Sequence, residues 1–253
     1  MLEDKNMDKL CIVDFRMPDI IKEYIRSLGY GIIENRFNPN VYDEISAHPD
    51  IYYVSIDGNL FCSMEKALPG FRQVIGVSKV EKKYPLDVPY NIAVIGKKCC
   101  HNFKYTDHTI KKYLEDNGYE FINVEQGYTK CSTVVLDDNS CIVSDIAIAR
   151  ELLDSGIDVL YVSEPDIVLK TRVNPLIDDE TKMSFKTSDM KGFIGGAMAK
   201  LGNEVILFGD ISKLSNGVKI KKFVESKGYT LKDFPGLDVV DLGGIVIINK
   251  KWY

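Results

Sequence analysis

Apolar residues follow two rhythms along the chain. Short runs predict strands: CIVDF from Cys11, IAVIG from Ile92, CIVSD from Cys141 and VILFGD from Val205. Stretches with apolar residues three and four apart predict helices. Ile20, Ile21, Tyr24, Ile25 and Leu28 form one stripe, and Ile110, Tyr113 and Leu114 a second. Ile146, Ile148, Leu152 and Leu153 form a third, and Val218, Ile220, Phe223 and Val224 a fourth. Each helical stretch leads into a similar phrase: SLGYGIIE, DNGYEFIN, DSGIDVLY and SKGYTLKD. Gly29, Gly118, Gly156 and Gly228 are the expected C-caps, because glycine takes left-handed backbone at low cost. Asp145 and Asp210 are each placed to cap the next segment, as is Thr106 or Asp107, which leaves His108 exposed.

A second piece also recurs, rich in glycine and small polar residues. Its copies are HPDIYYVSI, PYNIAVIGK, QGYTKCSTVVL, KGFIGGAMAKL and DLGGIVII. Most copies lead into turn-forming residues, at Asp57-Gly58-Asn59, Asp137 to Ser140 and Gly202-Asn203, and then another strand. The chain therefore reads as about five repeats of strand, turn, strand, helix, strand in a single domain over residues 1–253. It enters one repeat midway, so Leu10–Phe15 is expected to pair with Gly244–Ile248 and close a ring. Two places depart from the plan. The repeat between Phe61 and Tyr90 has a short helix interrupted by Pro69 and Gly70, and Lys170–Lys191 is a polar insertion expected as a flap or rim loop.

Within GYTKCSTVVLDDNSCIVSD, Cys131 falls in the first strand of an expected hairpin. Alternation puts Tyr128, Lys130 and Ser132 on one face and Thr129, Cys131 and Thr133 on the other. Lys130 is then not the neighbour that would activate Cys131.

Composition narrows the classes. The chain has 253 residues, 45% hydrophobic and 27% charged, with net charge −5, which argues against a nucleic-acid partner held on a broad basic face. The basic run Lys219–Lys222 lies on a predicted helix and reads as a solvated face. No run is long and apolar enough for a membrane span, and the charged start does not read as a secretory signal. Six cysteines in that setting point to free thiols in a reducing, cytoplasmic compartment. Cys99-Cys100-His101 lacks metal-ligand spacing, so neither a metal nor another cofactor is expected.

Five ββαβ units closing on themselves resemble the pentein fold, the five-bladed β/α-propeller of guanidino-group-modifying enzymes. HPD, HNFKYTD, KCST and GFIGG resemble a clostridial-type bacterial branch of it. The resemblance implies a small-molecule site in a central channel lined by the Gly-rich strands. It also implies a nucleophilic cysteine in the last unit, a histidine in the fourth and carboxylates for the guanidinium. This chain departs there: DLGGIVI has no cysteine, GFIGGAM has no histidine, and none of either follows Cys141 or His108.

The remaining candidates are Cys131 as nucleophile and His48 as base, with Asp50 fixing the imidazole. Asp241 is the expected acceptor for a cationic group. Lys130, Ser132, Asn91, Gly195, Gly196 and Gly244 complete the expected ligand contacts. Plainer readings stand beside these. Cys131 suits sheet packing, His-Pro-Asp suits a turn, and Gly-Gly suits strands crowding one axis. Two functions fit: a C–N hydrolase or amidinotransferase acting on guanidines or amidines, or a non-catalytic binding or interaction protein. A homo-oligomer is compatible with the apolar helix faces.

Overall fold

Five three-stranded sheets built to one plan carry most of the regular structure in residues 8–249, which the computed structural model describes. In each, the central strand is antiparallel to the first strand of the unit and parallel to the third. The parallel crossover holds a helix or a 3₁₀ turn, as parallel pairing requires a long connection. One sheet comprises β1 (Lys9–Asp14), the helix α1 (Asp19–Ser27), β2 (Gly31–Asn35) and the last strand, β17 (Val246–Asn249). The next has β3 (Tyr53–Ile56), β4 (Asn59–Cys62) and β5 (Gln73–Ile75), with only a 3₁₀ turn at Met64–Lys66. The third has β6 (Ala93–Ile95), β7 (Lys98–His101), α2 (His108–Asp116) and β8 (Glu120–Asn123). The fourth follows α3 (Thr129–Ser132) with β9 (Thr133–Asp137), β10 (Ser140–Val143), α4 (Ile146–Asp154) and β11 (Asp158–Tyr161). The fifth follows α5 (Ile194–Ala197) with β14 (Met198–Leu201), β15 (Glu204–Leu207), α6 (Gly217–Ser226) and β16 (Thr230–Lys232).

The expected pairing of the chain's two ends is present: Leu10, Cys11 and Ile12 lie opposite Ile248, Ile247 and Val246. None of the sheets closes on itself; they remain separate units. The expected turns at Asp57–Asn59, Asp137–Ser140 and Gly202–Asn203 join their hairpins.

Local chemistry explains the helix boundaries. Asp107 Oδ1 accepts from Thr109 N and Ile110 N, and Asp145 Oδ1 accepts from Ala147 N and Ile148 N, which satisfies donors left free in the first turn. His108 is exposed. All four C-terminal glycines take positive φ, 86° at Gly29. Four stripe residues, Ile20, Ile146, Leu153 and Val218, are exposed, because each helix has only about nine residues and buries a narrow face. The strand before α2 is β7, KCCH, rather than IAVIG, which forms β6.

The polar insertion is a hairpin, not a loop: β12 (Val168–Arg172) pairs antiparallel with β13 (Phe185–Lys191). Its outer strand is mostly exposed, so no apolar alternation marks it. Arg172 fixes the hairpin to the 38–50 segment. Its Nε and Nη2 reach the two carboxylate oxygens of Asp43 at 3.0 and 2.9 Å.

Candidate active site

The first strand of each unit is preceded by a turn, and these turns carry the candidate residues. His48 stands at the N-terminal boundary of a 3₁₀ turn, Pro49–Ile51, ahead of β3, with no cap bond from its side chain. Asn91 precedes β6, α3 runs directly into β9, α5 into β14, and Asp241–Gly244 lead to β17. Cys131 is therefore on a helical turn and not in a strand. The period-2 alternation that would separate it from Lys130 does not apply, since neighbours on one helical turn are about 100° apart. Gly195 and Gly196 also lie on a helical turn, α5.

Close backbone approach brings the turns together. A Cβ on Gly195 would lie 2.3 Å from Lys130 O and 2.6 Å from Cys131 O, so α5 rests on α3 with no room for a side chain. A Cβ on Gly196 would lie 1.8 Å from Asp241 Oδ1, so Gly196 makes space for that carboxyl group. Gly196 O also accepts from Leu242 N and Gly244 N, both at 2.9 Å.

Cys131 Sγ is 3.1 Å from Asp50 Oδ2, with the thiol as donor. Asn91 fastens the pair. Its Oδ1 accepts from Lys130 N and Cys131 N at 3.0 and 3.1 Å, and its Nδ2 donates to Asp50 O and contacts Cys131 Sγ, each at 3.1 Å. His48 faces elsewhere. Its Nδ1 is 3.6 Å from Asp241 Oδ1 and its Nε2 is 4.0 Å from Asp14 Oδ2, too long for hydrogen bonds. Neither a hydrogen bond nor an ion pair joins His48 to Cys131 or to Asp50. Asp50, not His48, is the group on the thiol, and Asp50 does not orient the imidazole.

Asp241 holds its position through Phe193 N, 2.8 Å from Oδ2, and Gly243 N, 3.0 Å from Oδ1. Asp14 carries a forked contact from Arg16, with Nη2 to Oδ2 at 2.5 Å and Nε to Oδ1 at 2.9 Å. Arg16 also donates to the carbonyls of Asp43, Glu44 and Lys170, which leaves it no spare donor. The Lys130 ammonium stands beside Gly244 and, among the described residues, makes one long hydrogen bond, 3.4 Å to Thr133 O.

His48, Asp50, Cys131 and Asp241 are at most 2% exposed. Both His48 ring nitrogens, Asp50 Oδ1, Ser132 Oγ and Thr133 Oγ1 are buried without a hydrogen-bond partner. Buried polar atoms are normally satisfied, so this concentration makes the cluster the candidate site. Burial, reinforced by Asp241 and opposed by Lys130, pushes the Asp50 carboxyl up to about 7. Burial, then the charges of Asp50 and Asp241, pushes the Cys131 thiol well above its ordinary value. Burial, opposed by Asp241, lowers His48 and keeps the imidazole neutral.

Sequence patterning does not single out Asp14 and Arg16. Their one signal is a charged pair, D-x-R, closing an otherwise apolar strand. His101 serves the interior, with Nε2 donating to Gly127 O at 2.8 Å and Nδ1 accepting from Thr106 Oγ1 at 2.6 Å. A cavity of about 280 Å³ adjoins the cluster at Lys130. A larger one, about 830 Å³, lies away from it, along residues 38–40, 64–65 and 76–82.

A family model described as a family of unknown function, DUF6873, matches residues 12–246. The chain belongs to that family. No curated protein matches it. Among solved structures, it is similar to C. jejuni agmatine deiminase, a cysteine-to-serine mutant with substrate bound, at TM-score 0.54 and 12% identity, covering 99% of this chain and 96% of that one. It is also similar to dimethylarginine dimethylaminohydrolase from Pseudomonas aeruginosa, a cysteine-to-serine mutant complexed with citrulline. There the TM-score is 0.53 and the identity 11%, covering 96% of this chain and 99% of that one. Both are pentein-fold proteins, and at such identities the likeness is one of fold. No helix among the described residues is long and apolar enough to cross a membrane.

Proposed function

We propose that this family member is a small-molecule hydrolase of pentein type. Its five units would be arranged as propeller blades around a channel, and it would act on the C–N bond of a guanidine or amidine. The observation that carries the reading is the Cys131–Asp50 contact inside a cluster with one carboxyl group too many. Among the described residues, Lys130 is the cation that acts on Asp50, beside Asp241, while Arg16 and Lys66 act on Asp14. A cationic ligand would supply the missing charge and stabilise the ionised forms of Asp50 and Cys131 together. The two pentein neighbours are named for reactions on agmatine and dimethylarginine, and they support the substrate class by analogy.

In this mechanism Asp50 takes the role expected of His48. With its carboxyl near 7 it is matched to acid–base work at neutral pH. It accepts the thiol proton as Cys131 Sγ bonds to the amidino carbon. It returns that proton to the nitrogen that leaves as the C–N bond breaks. Water then adds to the thiouronium carbon, or to the thioimidate carbon from an amidine, as Asp50 takes one of its protons. The C–S bond breaks, Asp50 returns that proton to the departing thiolate, the water's second proton goes to the released amine, and a urea or an amide is set free. Asp241 holds the cationic head, Asn91 positions the thiol, and Ser132 and Lys130 border the site. His48, neutral between two carboxyl groups, tunes their charge. The test is release of the amine, with a urea formed from a guanidine or an amide from an amidine, by the purified protein on a panel of guanidines and amidines, repeated with Cys131→Ser and Asp50→Asn. Turnover lost in both variants supports the reading. Turnover unchanged in Cys131→Ser, or none on any member of the panel, overturns it.

A non-catalytic binding protein is the second reading. It is favoured by the depth of Cys131 and by the upward shift of its thiol, which leaves little thiolate at neutral pH. Saturable binding of a guanidine without any product would select it.

A further inference from the structure

We infer that the ligand of this site carries an apolar, uncharged tail, and that the cavity beside Lys130 is its pocket. The inference rests on the proposed reading of the cluster as a seat for a cationic head. The cavity, about 280 Å³, is walled by Tyr53, Ile92, Val94, Val135, Ile245 and their neighbours on the first strands of several units. Lys130 belongs to both its wall and the buried cluster, and Ile92 and Ile245 directly follow Asn91 and Gly244. The pocket thus begins where the cluster ends.

Its chemistry does not favour a charge held within it. Among the described residues no carboxylate lines it, and the nearest ones, Asp57, Asp137 and Asp138, line the adjoining pocket beyond Ser55, Val94 and Val135, so an ammonium group seated among these apolar walls has no anionic partner. Lys130 is its only cation among the described residues, and that charge already acts on Asp50. Arg16, the other cation of the cluster, has every donor engaged. The Tyr53 hydroxyl is directed away, donating to Lys66 O at 2.8 Å. Among the described lining residues, Ser55 is left as the one neutral hydroxyl that can face a ligand, at the exposed rim. Branched aliphatic walls of this kind reward methylenes, about fourfold in affinity for each one buried.

The experiment is calorimetric titration of the full-length protein with ethyl-, butyl- and hexylguanidinium, arginine, agmatine and hexan-1-ol. Val135→Phe and Val94→Phe, both on half-buried positions that tolerate bulk, serve as cavity-filling variants. Affinity rising about fourfold per methylene from ethyl to butyl, exceeding arginine and agmatine, and falling at least tenfold in either filled variant is the expected result. Arginine or agmatine binding more tightly than butylguanidinium overturns the apolar tail and leaves the guanidine reading standing. Hexan-1-ol matching hexylguanidinium, with the same loss in Val135→Phe, keeps the tail pocket and overturns the cationic head. No binding by any probe overturns both.

Discussion

The thiol of Cys131 donates to Asp50 Oδ2 over 3.1 Å, across two units of the fold and 81 residues of chain. The carboxyl group raises the thiol's pKa twice over, by its charge and by accepting the hydrogen bond, on top of burial. Native Cys131 is therefore expected to label slowly with iodoacetamide at pH 7. Asp50→Asn is expected to move its pH–rate profile to lower pH, since the like charge is gone. Peptide mass spectrometry of the native protein reads both. Fast labelling at pH 7, or an unchanged profile in Asp50→Asn, would contradict the arrangement.

Stability should respond to pH through buried groups acting in opposite senses, Asp50 on one side and His101, joined by His48, on the other. Asp50 is raised from 3.8 to about 7 in the folded protein, so its contribution is fully present below about 4 and lost as pH rises through about 7. His101 is lowered from 6.5 to about 4, mainly by burial, so its contribution is present above about 6.5 and lost as pH falls through about 4. Between these limits the two slopes oppose each other. Asp50→Asn is expected to leave a stability that rises with pH from about 4 to about 6.5, and His101→Gln combined with His48→Gln, which removes both lowered imidazoles, one that falls toward about pH 7. Urea denaturation across about pH 4–8 separates them. Parallel curves for both variants and the parent would rule the assignment out.

The paired glycines differ in what they protect. Gly195→Ala sets a methyl group against the backbone of the Cys131 turn, which has no flexible end to yield. Gly196→Ala meets the Asp241 carboxyl group, which can swing only by giving up the Phe193 and Gly243 amides. Overpacking costs of about 1–3 kcal/mol are expected for each, with Gly195→Ala the larger. Gly196→Ala should abolish binding of a cationic ligand while the fold survives. Chemical denaturation alongside calorimetry checks this, and a Gly196→Ala variant with unaltered binding would refute it.

Arg172 is the latch of the β12–β13 hairpin. Arg172→Met removes the forked contact to Asp43 and is expected to cost about 1.5–3 kcal/mol locally. Hydrogen exchange should then quicken across residues 168–191 and 38–47 while β9 to β11 keep their protection. Uniform acceleration across the chain would mean that the hairpin is not a separable element.

Most of the fold is legible in the sequence because its signals are local. The helix stripes, the C-terminal glycines and the turn at Asp57–Asn59 each report on a few neighbouring residues. The repeat shows which strands are equivalent, and so that the chain's two ends pair. The site is only partly legible. Cys131, His48, Asp50, Asn91 and Asp241 can be named because chemistry-bearing residues stand just before the first strand of a unit. Their partnering cannot be read, because it depends on turns from separate units meeting at van der Waals distance. KCST carries hydroxyl and β-branched residues and reads as a strand. It coils because Asn91 caps its amides and Gly195 packs beneath it, and both are distant in sequence. Arg16 escapes a sequence reading because its three carbonyl acceptors come from two other segments.

The seam between β1 and β17 sets how the molecule would answer to mechanical force. Lys9 lies opposite Asn249, so the two ends leave the sheet at the same edge. Tension applied there loads the antiparallel hydrogen bonds one pair after another, not all together, because those bonds lie perpendicular to the strands. Such a seam peels at low force, whereas handles placed at the two ends of one strand of a central parallel pair, such as β10, would shear its hydrogen bonds together. In a single-molecule stretching trace, the same protein would be soft along one axis and stiff along another.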